Sequence, residues 1–213
     1  MVSDVARTRF LKAISHDMRQ PLQALLLYLG ALERRVHEGE ARAVLGKAEQ
    51  AAQALASMFD DLVELARLDA GKVEPELGRV ALEELFNAAC EREPRAKADV
   101  SALYVKSDGM LLDQIVRRLV ANAVRHGGGA ARLSASQRDD DIEITVSDND
   151  PGIAADHHAR IFDEFERLDG ASPEGLGLGL AIVRKLAGLL DHEIEVRSAP
   201  GQGSVFIVRA PRA

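Results

Sequence analysis

His16, Asp17 and Pro21 stand within one short stretch, Ile14-Ser-His16-Asp17-Met-Arg-Gln20-Pro21. Imidazole is the side chain best suited to nucleophilic and proton-transfer chemistry near neutral pH. At about 100° per residue, His16 points roughly opposite the local apolar face of Ile14 and Met18, so it is expected to be accessible. Pro21 has no amide hydrogen and clashes with the carbonyl of Asp17, which bends a helix one turn beyond His16. Asp17 sets a carboxylate beside the imidazole, where it can orient the ring and accept its proton, leaving the other nitrogen as nucleophile. A solvent-facing histidine such as His37 is the plain alternative, and only the neighbours distinguish His16 from it.

A second group lies far along the chain. Gly175, Gly177 and Gly179 alternate with leucines and open a helix, exposing backbone N–H groups in a way that favours an anionic phosphate. Neither a GxxxxGK[ST] loop nor a GxGxxG after a strand occurs, which removes P-loop and dinucleotide-binding readings. Asn122 offers an amide oxygen that can serve a hard cation, or is a plain polar helix residue. Asp148 ends an alternating strand, as a hydrogen-bond acceptor for a ligand or as a turn former. Phe162 and Phe165, three apart on one expected helical face, are core residues or anchors of a lid. The polar run from Glu166 to Glu174 reads as that lid or as an ordinary surface loop.

The elements that must hold these residues follow from periodicity. Leu22, Leu25, Leu29, Leu32 and Val36 recur at steps of three and four, and so do Leu45, Ala48, Ala52, Leu55, Phe59, Leu62 and Ala66. Two helices joined by the short polar stretch His37 to Glu40 make an antiparallel hairpin. Two stripes that bury only each other leave wet flanks, so a four-helix bundle made by two chains is expected. The hydrophobic period changes after Asp69-Ala-Gly-Lys-Val-Glu-Pro-Glu-Leu-Gly78, where a domain boundary is placed. Beyond it the pattern predicts a strand near Arg79 to Leu82, a helix through Cys90, a strand at Ala102 to Val105 and a helix from Met110 to His126. Strands at Ala131 to Gln137 and Ile142 to Ser147 join through the charged turn Arg138 to Asp141. A short helix at Ile161 to Phe165, a helix ending near Leu190, and strands at Glu193 to Arg197 and Ser204 to Arg209 complete the chain. Mixed order without regular βαβ alternation favours a two-layer α/β sandwich.

Composition sets outer limits. The 213 residues are 46% hydrophobic and 29% charged, which excludes a disordered tail or a disulfide scaffold. The single cysteine, Cys90, cannot form an internal disulfide and reads as a small core residue of a chain in a reducing cytoplasm. No apolar run reaches the roughly 18 residues of a membrane span, and the first ten residues lack a signal-peptide core, so neither a membrane contact from this segment nor export is expected. A net charge of −7 speaks against general nucleic-acid binding.

The stretch Phe10-Leu-Lys-Ala-Ile-Ser-His16-Asp17-Met-Arg-Gln20-Pro21-Leu22 resembles the phosphoacceptor motif of two-component sensor histidine kinases. Four further motifs follow in the family's order: Asp113 to His126 containing Asn122; Asp148-Asn-Asp150-Pro-Gly152; Ile161-Phe162-Asp-Glu-Phe165; and Gly175-Leu-Gly177-Leu-Gly179-Leu180. The resemblance implies a multidomain kinase core, with an all-α dimerisation and phosphoacceptor hairpin over 1–70, a linker over 71–78 and an α/β sandwich of the histidine kinase ATPase (Bergerat) type over 79–213. It implies ATP and Mg²⁺ as cofactors, with Asn122 as metal ligand. Nucleotide contacts are implied at Asn122, Arg125, His126, Asp148, Gly152, Phe165, Gly175, Gly177, Gly179 and Leu180. Catalytic roles fall to His16 and Asp17, and to Gln20 in dephosphorylating the partner. That partner is a response regulator whose receiver aspartate takes the phosphoryl group, and the chain itself is expected to be a cytoplasmic homodimer. Two positions depart from the family, Arg118 and Asp150, where asparagine and glycine are usual. They support a rival reading, a non-catalytic dimeric scaffold that docks a regulator without productive use of ATP.

Overall fold

The structure, a computed structural model, describes residues 22–23, 25–30, 32, 39–99, 102–126, 129–149, 151–167 and 176–213. His16, Asp17, Gln20, Asp150 and Gly175 lie outside the described residues. The chain divides into two compact units, one taking in Met1–Val73 and the other Glu74–Ser172 and Gly177–Ala213.

In the first unit, residues 22–23, 25–30 and 32 are helical and α1 runs over Gly39–Asp69. Gly39 and Glu40, expected in the connection, instead belong to α1. Leu45 and Ala52 of the expected stripe are buried, as is Leu65, which lies off it. Leu55 is 46% exposed, and Leu25, Leu27, Tyr28, Leu32 and Val44 are also open.

The second unit carries β1 (Gly78–Ala81), α2 (Leu82–Arg92), β2 (Ala96–Asp99), β3 (Tyr104–Ser107), α3 (Gly109–His126), β4 (Ala131–Arg138) and β5 (Asp141–Ser147). Two 3₁₀ turns at Ala155–His157 and Arg160–Phe162 precede α4 (Gly179–Leu189), β6 (Glu193–Ser198) and β7 (Ser204–Pro211). Five strands form one sheet in the order β2-β4-β5-β7-β6, in which β2 runs parallel to β4 and the other pairs are antiparallel. A separate ribbon pairs β1 with β3. Alternation in β5 turns Ile142, Ile144 and Val146 inward, opposite Ala210, Val208 and Phe206 of β7, and all six are fully buried. On this face lie Leu112, Ile115, Val116 and Leu119 of α3 and Ile182, Val183 and Leu186 of α4, none with measurable exposure. Each such side chain contributes about 1.5–3 kcal/mol relative to an exposed one, so this layer holds the helices that carry the site. The outer face is charged: Arg209 bonds Glu143 at 3.0 Å, Glu193 at 3.2 Å and Glu195 at 2.6 Å, and these carboxylates, Glu143 foremost, raise its pKa.

Three expectations change in the second unit. β2, Ala-Lys-Ala-Asp, was not expected, because alanine and charged residues are poor strand formers and its pairing with β4 is non-local. The helix over Ile161 to Phe165 stops as a 3₁₀ turn at Phe162, since Asp163 is already extended, with φ of −80° and ψ of 150°, and Phe165 then adopts a left-handed φ of 64°. Phe162 and Phe165 therefore share no helical face. Cys90, expected in the core, is half-buried on α2, and burial raises the pKa of its thiol.

One buried titratable group ties the sandwich together. His192, just after α4, is 6% exposed, and its Nε2 lies 2.9 Å from the Ser107 hydroxyl, which is fully buried at the end of β3. Burial lowers the His192 pKa, against the opposing pull of Asp191 and Asp141. A depressed histidine pKa means that the unfolded chain binds the proton first. Stability from this group is present above about pH 6.5 and is lost as pH falls from there through the folded-state pKa. Urea unfolding of the unmodified chain between pH 7.5 and 5 is expected to show an acid-side loss that His192→Gln reduces. An identical pH profile for both chains would contradict this assignment.

Candidate functional site

Asp148 sits where β5 ends, and the β6–β7 turn fixes it. Its Oδ1 accepts the Ser204 amide at 2.9 Å, its own amide donates to the Ser204 carbonyl at 3.0 Å, and its Oδ2 is also shut off from solvent. Gly203 makes this approach possible: a Cβ there would lie 2.3 Å from the Asp148 carbonyl oxygen, and its φ is 75°. The loop after Asp148 locks to the same turn. The Gly201 amide donates to the Pro151 carbonyl, and the Ile153 amide donates to Ser198 Oγ at 2.7 Å. Gly152, with φ of 79°, lies so close that a Cβ would come within 1.9 Å of the Ala199 carbonyl oxygen. A buried carboxylate and a glycine loop are thus held as one rigid corner.

The glycine-rich stretch leads into α4. Gly177 has φ of 70°, and a Cβ there would come 2.5 Å from the Glu166 carbonyl oxygen and 3.0 Å from the Phe165 carbonyl carbon. The chain of Phe165 and Glu166 therefore runs against the entry to α4. Phe162 is buried edge-on against Phe206, with ring centroids 6.3 Å apart, whereas Phe165 is 58% exposed. Ion pairs Arg184–Asp163, Lys185–Glu164 and Arg160–Glu166 border this segment, each worth about 0.2–1 kcal/mol at the surface.

The two helix starts differ in a way that bears on ligands. Asp108 caps α3, its Oδ1 accepting the amides of Met110 and Leu111 at 2.9 and 3.0 Å. At α4 the cap position is Leu178, whose side chain makes no capping hydrogen bond. The opening amides of Gly179, Leu180 and Ala181 and the positive end of the helix dipole attract an anion. Asn122 lies half-buried on α3, with Arg118 one turn before it and His126 one turn after; Arg125 is exposed. These residues join the α4 side of the site through the packing of α3 on α4. Ser198, Gly203 and Ser204 did not emerge from sequence reasoning, and the only local signal was the turn Pro200-Gly-Gln-Gly203 between two strands.

A buried carboxylate on a rigid corner can accept a hydrogen bond from a ligand donor, and a glycine-led helix start can hold phosphates. Residues 107–213 match the family of histidine kinase-, DNA gyrase B- and HSP90-like ATPases, and residues 6–71 match the His Kinase A phospho-acceptor domain. The chain belongs to the sensor histidine kinases. Among its relatives, signal transduction histidine-protein kinase AfsQ2 of Streptomyces coelicolor is 32% identical, the match covering 97% of this chain and 42% of that protein. Sensor-like histidine kinase SenX3 of Mycobacterium tuberculosis is 33% identical over 98% of this chain and 54% of its own length. The chain thus spans about half the length of these relatives. The crystal structure of full-length ShkA in complex with AMPPNP superposes with a TM-score of 0.78 at 31% identity, covering 96% of this chain and 46% of that one. Among the described residues, no helix of this histidine kinase is long and apolar enough to cross a membrane.

Proposed function

We propose that this chain is a working kinase core that binds ATP in its second unit, moves the γ-phosphoryl group to His16, and passes it to an aspartate of a response regulator receiver domain. The observation that carries the reading is the buried Asp148 carboxylate, held by the Ser204 amide in the corner that Gly152 shares. Asp148 accepts a hydrogen bond from the adenine amino group. Gly175, Gly177, Gly179 and Leu180 offer backbone donors to the phosphates, and Phe165 borders the lid. Asn122 supplies an amide oxygen to Mg²⁺, a cation that takes one or two protein ligands and otherwise keeps phosphate and water oxygens; Arg125 and His126 continue that face toward the nucleotide. The ion, when bound, neutralises charge on the β- and γ-phosphates. Catalysis is then largely positioning: the His16 nitrogen attacks, Asp17 holds the ring and takes its proton, and Gln20 orients water when the regulator is dephosphorylated.

The open apolar positions along the first unit, Leu55 at 46% exposure among them, support a homodimer formed through the hairpin. Residues 1–70, 71–78 and 79–213 are the proposed phosphoacceptor domain, linker and ATP-binding domain, and a cytoplasmic setting goes with that assignment. The test is incubation with labelled ATP and Mg²⁺ followed by an acid-lability assay, since a phosphoramidate is lost in acid and a phosphoester is not. Asp148→Ala is expected to weaken ATP binding about tenfold or more, the scale of a hydrogen bond to a charged group. Arg118, a cation one turn from Asn122 where the resemblance implies asparagine, favours the scaffold reading; that reading expects no label on the unmodified chain.

A further inference from the structure

Asp108 stands apart from the nucleotide corner, yet one buried carboxylate there performs two tasks. It is 5% exposed. While Oδ1 caps α3 through Met110 and Leu111, Oδ2 accepts the amide of Glu76 at 2.8 Å. Glu76 belongs to residues 72–77, which form neither helix nor strand and join α1 to β1. The anchor on the domain side is firm: Ser107, the preceding residue, is fully buried, bonded to His192 and paired with Gly78 in the β1–β3 ribbon. Beside it lies a groove of about 330 Å³, lined in part by Glu76, Arg79, Glu84 and Ser107. Within the segment Val73 and Pro75 are half-buried and Glu76 is exposed, so the hydrogen bond to Asp108 is what ties Glu76 to the fold.

We infer that Asp108 is a latch, fastening the segment that leaves α1, the second helix of the phosphoacceptor hairpin, to the start of the helix that carries Asn122. The inference rests on the kinase reading for its consequence and on geometry for the latch itself. Asn122 lies thirteen residues along α3 from Gly109, roughly 20 Å at 1.5 Å per residue, and a helix packed along its length carries a displacement that far. Pulling on the connecting segment draws on Oδ2 and turns the carboxylate that caps α3. Nucleotide bound against α3, in turn, steadies Glu76, since coupling between two sites is reciprocal.

Asp108→Asn tests this in the full chain. An amide has one acceptor oxygen; with that oxygen on Met110 and Leu111, its NH₂ faces the Glu76 N–H, donor against donor. The cap survives and the latch opens. Asp108→Ser, which caps a helix with a shorter side chain, serves as the second variant. In both, the Glu76 amide is expected to exchange about tenfold faster with solvent, while Met110 and Leu111 keep their protection. ATP affinity should shift by no more than about threefold, and the rate of His16 phosphorylation at saturating ATP should fall by more than that. ATP should slow Glu76 exchange in the unmodified chain and not in the variants. Unchanged Glu76 exchange, or a phosphorylation rate that stays constant once Glu76 is released, overturns the latch. A loss of Met110 protection together with ATP affinity shows Asp108 to be a cap alone and overturns it too. An unmodified chain in which ATP slows Glu76 exchange but no phosphate reaches His16 sinks the kinase reading and leaves the latch standing.

Discussion

Gly152→Ala is expected to destabilise the ATP-binding unit by about 3 kcal/mol or more and to remove measurable ATP binding at micromolar protein. The residue has φ of 79°, where a side chain is itself unfavourable by about 1–3 kcal/mol. Added to this, the new Cβ would meet the Ala199 carbonyl oxygen at 1.9 Å, its carbon at 2.7 Å and Pro200 Cα at 3.2 Å. All three are backbone atoms of a turn and cannot rotate aside as a flexible side chain would. Relief requires the 151–153 loop to separate from residues 198–201, which breaks the Gly201–Pro151 and Ile153–Ser198 hydrogen bonds and loosens the Ser204 amide that fixes Asp148. Gly188→Ala is the control: beyond its chain neighbours and its own helix backbone nothing lies within 4 Å of a Cβ there, it sits in α4, and the change should stabilise by about 0.5–1 kcal/mol. Urea unfolding and ATP titration of both variants decide the matter. If Gly152→Ala left stability and ATP affinity within about 0.5 kcal/mol of the unmodified chain, the corner would not be rigid.

This case shows which parts of the molecule a sequence states openly. β5 and α3 were legible because their periods are unbroken: Ile142, Ile144 and Val146 alternate, and Leu112, Ile115, Val116 and Leu119 repeat at helical spacing. Asp148 and the glycines were legible as residue types, since a carboxylate after a strand and N–H groups before a helix have few uses. What holds them was not legible. The Ser204 amide reaches Asp148 across 56 residues, and the Glu76 amide reaches Asp108 across 32, and backbone donors leave no trace in side-chain chemistry. β2 escaped for a related reason, because a short parallel edge strand owes its existence to β4 rather than to Ala-Lys-Ala-Asp. The phenylalanine segment failed differently. A spacing of three suggested one helical face, but packing of Phe162 on Phe206 and the left-handed turn at Phe165 separate the two rings. Local period therefore predicts elements that bury a stripe and misleads where a chain turns between them.

His16→Ala should abolish labelling altogether, a larger effect than any change in the nucleotide site, because a missing nucleophile has no substitute at that position. The unmodified chain, incubated with labelled ATP and Mg²⁺, should carry acid-labile label, and the variant none, at unchanged ATP affinity and unchanged oligomeric state. Those two controls matter because His16 falls within residues 6–71, which match the phospho-acceptor domain, and outside residues 107–213, which match the ATPase, so its removal is expected to touch the acceptor only. Asp17→Asn should keep the acceptor and slow its reaction about a hundredfold, the usual worth of a positioned base. The graded pair separates chemistry from folding: a damaged hairpin would fail equally in both variants, whereas a lost nucleophile and a weakened base fail to different degrees. Five other histidines remain in the chain, His37, His126, His157, His158 and His192, so residual acid-labile label in His16→Ala would move the acceptor to one of them. Among these, His192 is buried beside Ser107 and can receive nothing from solvent, while His126 lies on the Asn122 helix, where label would mean attack within the proposed ATP site. Acid-stable label would instead point to a hydroxyl acceptor and contradict phosphohistidine chemistry outright.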